Sequence, residues 1–185
     1  MGMPLPVPHF TIDMLDDFPD DGNRYELLEG TLLVTPAPSM EHQVVATRIA
    51  HLLLDALSDG RDAQVVAVGA IQRGNNTQLQ PDILVFPSSV ALTANWRDIG
   101  EWWLAVEVMS PSSRIYDREV KRDAYLALGV EEYWLVDLRR KSLEIWRKGE
   151  PGPHLATAAV EWRPASLGRT ITIRLADIFG QPGDG

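Results

Sequence analysis

The chain has 185 residues, of which 45 % are hydrophobic and 23 % are charged; this composition is typical of a globular domain with a sizeable core and excludes a disordered, collagenous or coiled-coil chain. Because the sequence contains no cysteine, it has no disulfide, thiolate metal site or thiol nucleophile, and any metal must be bound by oxygen or imidazole ligands. The formal net charge of -9 is the opposite of the basic charge expected of a protein that binds nucleic acid.

The predicted elements follow from the spacing of apolar residues and from turn residues. In chain order they are a short helix over 12–18 capped by Thr11, hairpin strands over 25–28 and 31–35, a long helix from Ser39 to about Ser58, strands over 63–72, 83–86 and 102–109, a helix over 114–128 that ends at Gly129, and strands over 132–138, 143–147 and 170–175. We predict one domain over residues 1–185, with its core at about 11–148 and C-terminal strands over 149–185. Its class is α/β (α+β), a mixed β-sheet flanked by helices with an N-terminal β-hairpin.

No apolar run reaches the roughly 20 residues that cross a membrane. The first ten residues lack the basic and apolar regions of a secretory signal. Together with the absence of cysteine, these features predict a cytoplasmic protein with no membrane partner.

Glu107 interrupts the otherwise apolar strand predicted over 102–109. An unpaired carboxylate in a core is unfavourable, so Glu107 requires a cation, a hydrogen-bond donor or a metal nearby. Asp82 opens another apolar strand, directly after Pro81. If the two strands are neighbours, both carboxylates can converge on one divalent cation, which binds oxygen ligands and attracts phosphates. The alternatives are a structural ion pair for Glu107 and a turn at Pro81 and Asp82.

Three further polar residues lie on faces that the pattern predicts to be buried. Lys121 shares a helical stripe with apolar residues, so it either reaches the sheet or pairs with Asp117 on the surface. His42 lies in the first turn of the long helix, where it is either a surface group or placed beside backbone N–H groups that attract anions. Glu26 lies among the apolar residues of the hairpin and either joins a metal site or pairs with a base such as Arg24.

Six ordered blocks of the sequence are YELLEG, PSMEHQ, PDILVF, LAVEVMSPSS, DREVK followed by Tyr125, and GVEEYWLVD. Together they resemble the Uma-type family, described as putative restriction endonucleases, within the PD-(D/E)XK nuclease superfamily. The resemblance covers about residues 11–148. It implies a restriction-endonuclease-like core and metal-dependent hydrolysis of DNA phosphodiester bonds.

The resemblance also implies roles for individual residues. Asp82 matches the metal-binding Asp of the superfamily, and Glu107 matches the acid of its (D/E)XK element. Met109 stands where that element has its Lys, and Lys121 matches the place from which this family supplies the Lys instead.

Glu26 and His42 match the additional acidic and His positions of the family. The implied ligands of Mg²⁺ or Mn²⁺ are Asp82, Glu107 and the carbonyl group of Val108. Such an ion polarises the scissile phosphate and lowers the pKa of a bound water. In this mechanism Lys121 orients the water or stabilises charge, and His42 or Glu26 assists by proton transfer or by contact with a second metal ion.

Basic residues cluster around the predicted site, at Arg114, Arg118, Lys121 and Arg122, and again at Arg139, Arg140 and Lys141. A local basic rim can hold phosphates in spite of the acidic net charge, with an affinity that falls steeply with salt. We therefore expect DNA as the substrate. A homodimer is also expected, because a two-fold axis matches the duplex.

Two other functions remain open at this stage. The first is a catalytically inactive binding or assembly module of the same fold; Met109 in the Lys position supports it, and it predicts metal binding without cleavage. The second is a sugar hydrolase that uses Asp82 and Glu107 as an acid and base without a metal. Six tryptophans are available as a carbohydrate platform, although Trp103, Trp134 and Trp146 lie in strand runs typical of a core.

Overall fold

The computed structural model describes residues 9–58, 61–109 and 116–180. Its strands, in chain order, are β1 Arg24–Leu28, β2 Thr31–Thr35, β3 Ala63–Ala67, β4 Ile71–Arg73, β5 Thr77–Leu79, β6 Ile83–Pro87, β7 Trp102–Met109, β8 Val130–Asp137, β9 Ser142–Arg147, β10 His154–Ala156, β11 Ala159–Trp162 and β12 Ile171–Arg174. Its α-helices are α1 Met40–Ala56, α2 Arg122–Leu128 and α3 Leu175–Phe179. Short 3₁₀ turns at Ile12–Asp17 and Trp96–Asp98 and a π-helical turn at Tyr116–Lys121 complete the described elements.

The central sheet has six strands in the order β10-β9-β8-β7-β6-β3. Only the β7–β8 pair is parallel, and the other pairs are antiparallel. All eight residues of β7 are buried, which explains the continuous apolar run, since layers cover both faces of the sheet. The predicted mixed sheet with helices on its faces is confirmed.

Two different layers cover the central sheet. One face packs against α1, α3 and the β11–β12 ribbon, and the apolar stripe of α1 at Val45, Ile49 and Leu53 is buried there. The other face packs against α2 and a four-stranded sheet of order β2-β1-β5-β4. Ser39 caps α1 as predicted, because its side chain accepts a hydrogen bond from the backbone N–H of His42 at 3.2 Å.

The N-terminal hairpin is confirmed as β1 and β2. Its turn residues Glu29 and Gly30 have φ values of 49° and 81°, and such a pair of left-handed residues matches the twist of the two strands. The helix predicted over 12–18 is a 3₁₀ turn over Ile12–Asp17, and the predicted cap is wrong, because Thr11 makes no side-chain capping bond.

The single strand predicted over 63–72 is wrong, because the chain forms two strands there that belong to different sheets. The chain leaves β3 at Val68, which has a φ of 58°, and passes through Gly69 into β4. Strand β5 was not predicted, and neither were β10 and β11. Each of these three strands has only three or four residues, too few for a clear alternation.

The helix predicted over 114–128 is confirmed from residue 116 onward, first as the π-helical turn and then as α2. It ends at Gly129, whose left-handed φ of 102° terminates the helix. Residues 110–115 lie outside the described part of the chain. Within the described ranges, no helix is long and apolar enough to cross a membrane.

Candidate active site

A cleft of about 340 Å³ opens at the edge of the central sheet where β6 begins and β7 ends. These strands are antiparallel neighbours, which is the condition under which the sequence predicts that Asp82 and Glu107 converge. The two carboxylates lie at the same edge of the sheet, and both line the cleft. The N-terminus of α1, the β1–β2 hairpin and the helical segment that carries Lys121 form the other walls. Its described ionisable lining residues are Asp20, Arg24, His42, Asp82, Glu107 and Lys121.

Asp82 is 4 % exposed and accepts hydrogen bonds from three different elements. Arg24 approaches its Oδ1 atom at 3.0 Å, while His42 Nε2 and the backbone N–H of Val108 approach its Oδ2 atom at 3.0 and 2.8 Å. Burial alone would raise the pKa of Asp82, but the bond and charge of His42, the charge of Arg24 and the Val108 amide together lower it. The carboxylate is therefore fixed in its ionised form.

Lys121 lies between two buried carboxylates. Its Nζ atom is 2.7 Å from Oε2 of Glu26 and 3.1 Å from Oε1 of Glu107, and its side chain is 2 % exposed. Of the two alternatives that the sequence leaves open for Lys121, the structure shows the one in which the side chain reaches inward. The alternative partner Asp117 has a side chain outside the described part of the structure.

Tyr125 supplies a second donor to Glu107. Its hydroxyl donates a hydrogen bond to Oε1 of Glu107 at 2.7 Å, and the whole residue is buried. Burial and the nearby charges of Glu107 and Glu26 raise the pKa of Tyr125 well above its ordinary value, so the hydroxyl remains a donor. Lys121 and Tyr125 are one helical turn apart, which directs both side chains to the same carboxylate oxygen.

Glu26 has no exposed surface and is not among the described residues that line the cleft. Its Oε1 atom accepts the backbone N–H of Gln80 at 2.7 Å, and its Oε2 atom contacts Lys121. The possible pairing of Glu26 with Arg24 is not observed, because Arg24 bonds instead to Asp82 and to the Gln80 carbonyl. Glu26 thus lies behind Lys121 and holds it in place.

The cluster is nearly balanced in charge. Its three carboxylates are Glu26, Asp82 and Glu107, and its permanent cations are Arg24 and Lys121. One net negative charge remains when His42 is neutral, and none remains when it is protonated. Each acid of this cluster therefore has a cationic partner within the protein.

A divalent cation requires donor atoms that converge on one point. Within residues 9–58, 61–109 and 116–180, no group of three or more His, Asp or Glu side chains is placed to hold one ion. Mg²⁺, however, is commonly bound by one or two carboxylates and keeps several waters. Asp82 and Glu107 meet that requirement, so the residues that line the cleft fit such an ion chemically.

Sequence reasoning missed two partners in this cluster. It did not assign Arg24 to Asp82, although an Arg at the start of a strand is able to reach the sheet edge. It also gave no role to Tyr125, although its spacing of four residues from Lys121 was the available signal.

The predicted basic rim is present only in part. Arg122 pairs with Asp123 at 2.7 Å and stacks over the Trp146 ring at 4.4 Å, and Arg140 pairs with Asp137. Neither lines the cleft, where the described basic side chains are Arg24, His42 and Lys121. The side chains of Arg114 and Arg118 lie outside the described structure.

The tryptophans do not form a carbohydrate platform at this site. None is among the described residues that line the cleft. Trp103 and Trp134 are 3 % and 0 % exposed and belong to the core, as their strand positions predict. This placement gives no support to the sugar hydrolase.

Comparison with known proteins agrees with this architecture. The model of the Uma2 family, described as "Putative restriction endonuclease", matches residues 12–175. A crystal structure of a putative nuclease belonging to DUF820 from Anabaena variabilis is similar, with a TM-score of 0.75 and 18 % sequence identity over 92 % of this chain and 97 % of that chain. At this identity the likeness shows a shared fold. No curated protein matches the chain.

Proposed function

Since the chain belongs to the Uma2 family of the description "Putative restriction endonuclease", we propose that this protein is a metal-dependent endonuclease that hydrolyses the phosphodiester bonds of DNA. The family match confirms the resemblance of the six sequence blocks and supports a nuclease; the metal and the DNA substrate are our proposal. One observation carries it. Asp82 and Glu107 line one cleft from adjacent strands, and Lys121 is held 3.1 Å from Glu107.

The proposed cofactor is Mg²⁺, or Mn²⁺ in its place. Asp82, Glu107 and the Val108 carbonyl would hold it, as the family resemblance implies. When bound, such an ion polarises a phosphate diester and lowers the pKa of water. The cleft, whose own charges nearly cancel, would thus acquire the positive charge that a nucleic acid requires.

Lys121 contributes a fixed positive charge beside the substrate position. Its ammonium group is a hydrogen-bond donor that orients the attacking water or stabilises charge on the phosphate oxygens in the transition state. Glu26 positions Lys121 from behind at 2.7 Å. Because Glu26 does not line the cleft, we assign it to this positioning role rather than to a second metal ion.

Arg24 and His42 position Asp82 from opposite sides. Arg24 comes from the hairpin and His42 from α1, and both lie 3.0 Å from the Asp82 carboxylate. Two such contacts restrict the rotation of the side chain, so that the carboxylate is held in one orientation before substrate arrives. With its Nε2 atom protonated, His42 donates to Oδ2 of Asp82.

Plasmid nicking by the purified protein in EDTA, Mg²⁺ or Mn²⁺ tests the proposal. We expect cleavage that requires a divalent cation and falls about 100-fold or more in Asp82→Asn, Glu107→Gln and Lys121→Met. Thermal unfolding of each variant verifies that it is folded.

Glu132→Gln is the matched control. Glu132 is also a buried acid, 5 % exposed, but its partners are Trp134 and Arg147, and it does not line the cleft. This variant should cleave like wild type. Cleavage that survives in Glu107→Gln, or that persists in EDTA, would refute the proposed site.

A second candidate function is binding without turnover. The observation that favours it is the internal pairing of every acid in the cluster with a cation of the protein, together with Met109 in place of the Lys of the motif. Binding of Mn²⁺ measured by calorimetry, without cleavage of any DNA substrate, would support this candidate.

The proposed active form is a homodimer, because two clefts related by a two-fold axis can each address one strand of a duplex. Sedimentation velocity of the protein with and without duplex DNA tests this proposal. A monomer in both conditions would contradict it. DNA binding should weaken steeply with salt, since phosphate contacts release counterions.

A further inference from the structure

Val68 has an unusual backbone conformation at the edge of the cleft. Its φ of 58° lies in the left-handed region, which β-branched residues rarely adopt because their Cβ atoms crowd the backbone. The residue lines the cleft and is 54 % exposed. An unfavourable backbone and an exposed apolar side chain thus occur together beside Asp82.

The fold requires this conformation at position 68. The backbone N–H of Val68 donates to the carbonyl of Asp82 at 3.0 Å, and the chain then turns through Gly69 from one sheet into the other. A Cβ atom at Gly69 would lie 3.1 Å from Leu84 Cδ2 and 3.2 Å from the Trp96 ring. This close approach fixes the path of the chain, and hence the backbone at residue 68.

The fold does not require valine there. Glycine or asparagine adopts a left-handed φ with less strain. The Val68 side chain is absent from both core clusters and from the apolar residues packed against them. The Val68 side chain therefore contributes little packing to offset the strain of its backbone. Strained residues of this kind cluster at functional sites.

We propose that Val68 is a substrate-binding residue that makes van der Waals contact with the nucleotide next to the scissile phosphate. This inference rests on the proposed function. A phosphate held near Asp82 and Glu107 places its sugar and base beside the adjoining cleft wall. Val68 supplies an exposed apolar side chain on that wall, whereas the charged groups of the cleft serve the phosphate.

The variants Val68→Asn and Val68→Ile separate the side chain from the strain. Asparagine relieves the strain and removes the apolar contact, while isoleucine retains both. We expect Val68→Asn to raise KM for a labelled DNA duplex about fivefold, as for loss of part of a buried valine, with kcat within about twofold of wild type. Its melting temperature should rise by about 2 °C or more. Val68→Ile should retain the wild-type KM.

Ser58→Asn is the matched control. Ser58 also has a left-handed φ, 57°, but it lies between α1 and β3, carries no charge and is not among the described residues that line the cleft. This variant should leave KM unchanged. A wild-type KM in Val68→Asn would overturn the inference about Val68 but not the proposed function. A lower melting temperature of that variant would also overturn the inference, because it would mean that the Val68 side chain stabilises the fold by packing. A wild-type protein that neither cleaves nor binds DNA would instead overturn the proposed function, and the inference with it.

Discussion

Lys121→Met should lower the free energy of unfolding at pH 7 by about 3–5 kcal/mol, because it leaves two buried carboxylates without their shared cation. The Lys121 ammonium is 2.7 Å from Glu26 and 3.1 Å from Glu107. At an effective dielectric constant of about 20, each contact corresponds to about 5–6 kcal/mol of Coulomb attraction. Desolvation of the three charged groups offsets much of this attraction. The expected net loss is therefore the roughly 3–5 kcal/mol that is typical when one partner of a buried ion pair is removed.

The double variant Glu26→Gln, Lys121→Met tests whether the unpaired Glu26 carboxylate causes this loss of stability. Because glutamine is neutral, the double variant should be more stable than the sum of the two single effects predicts, by about 1–3 kcal/mol. Urea denaturation followed by tryptophan fluorescence gives these free energies. Arg174→Met is the control, since Arg174 pairs with Asp177 at the surface and is 71 % exposed; its loss should be below about 1 kcal/mol.

Two results would refute this reasoning. One is a Lys121→Met variant within about 1 kcal/mol of wild type, since breaking a buried pair is expected to cost several times more. The other is strict additivity in the double variant, which would mean that Glu26 and Lys121 do not interact in the folded protein.

Three further predictions concern the same region. Tyr125→Phe should lose about 1.5–3 kcal/mol of stability in urea denaturation, because it removes a buried hydrogen bond to a charged group. Tyr25→Phe, which removes an exposed bond to Asp21, should lose less than half as much. Equal losses in the two variants would contradict the assignment of Tyr125 to a buried hydrogen bond. The pKa of Asp82 is lowered by the fold, so its contribution to stability is complete above the unfolded pKa of about 3.9 and is lost as the pH falls through the lower folded value. The difference in unfolding free energy between wild type and Asp82→Asn should therefore narrow from pH 7 to pH 3. A constant difference would argue against a stabilising role for the Asp82 carboxylate. Gly129→Ala should lower stability by about 1–2 kcal/mol because the φ of Gly129 is 102°, and an unchanged melting temperature would contradict this expectation.

Much of the central architecture was predictable because it depends on local patterns. The apolar runs of β6 and β7 identify buried strands, and the carboxylates of Asp82 and Glu107 stand out within these runs. Few topologies place two such strands apart in a chain of this length. The shared sheet edge depended on the two strands being neighbours, and the antiparallel pairing of β6 and β7 fulfils that condition.

The pairing of side chains was less predictable. The sequence shows that Glu107 needs a donor, but the choice of Tyr125 and Lys121 depends on how α2 packs against the sheet. Arg24 and Asp82 are separated by 58 positions, and no local pattern relates them. The break between β3 and β4 is likewise set by the close approach of Gly69 to Leu84, which is a tertiary contact.

The connection between α2 and β8 has a mechanical consequence. Only Gly129 separates the end of the helix at Leu128 from the start of the strand at Val130, so this junction has no slack. One residue added between Tyr125 and Gly129 would rotate the preceding part of the helix by about 100° and turn Lys121 and Tyr125 away from Glu107. The one-residue connection at Gly129 thus fixes the rotation of α2 relative to the sheet, and with it the position of the Lys121 ammonium group.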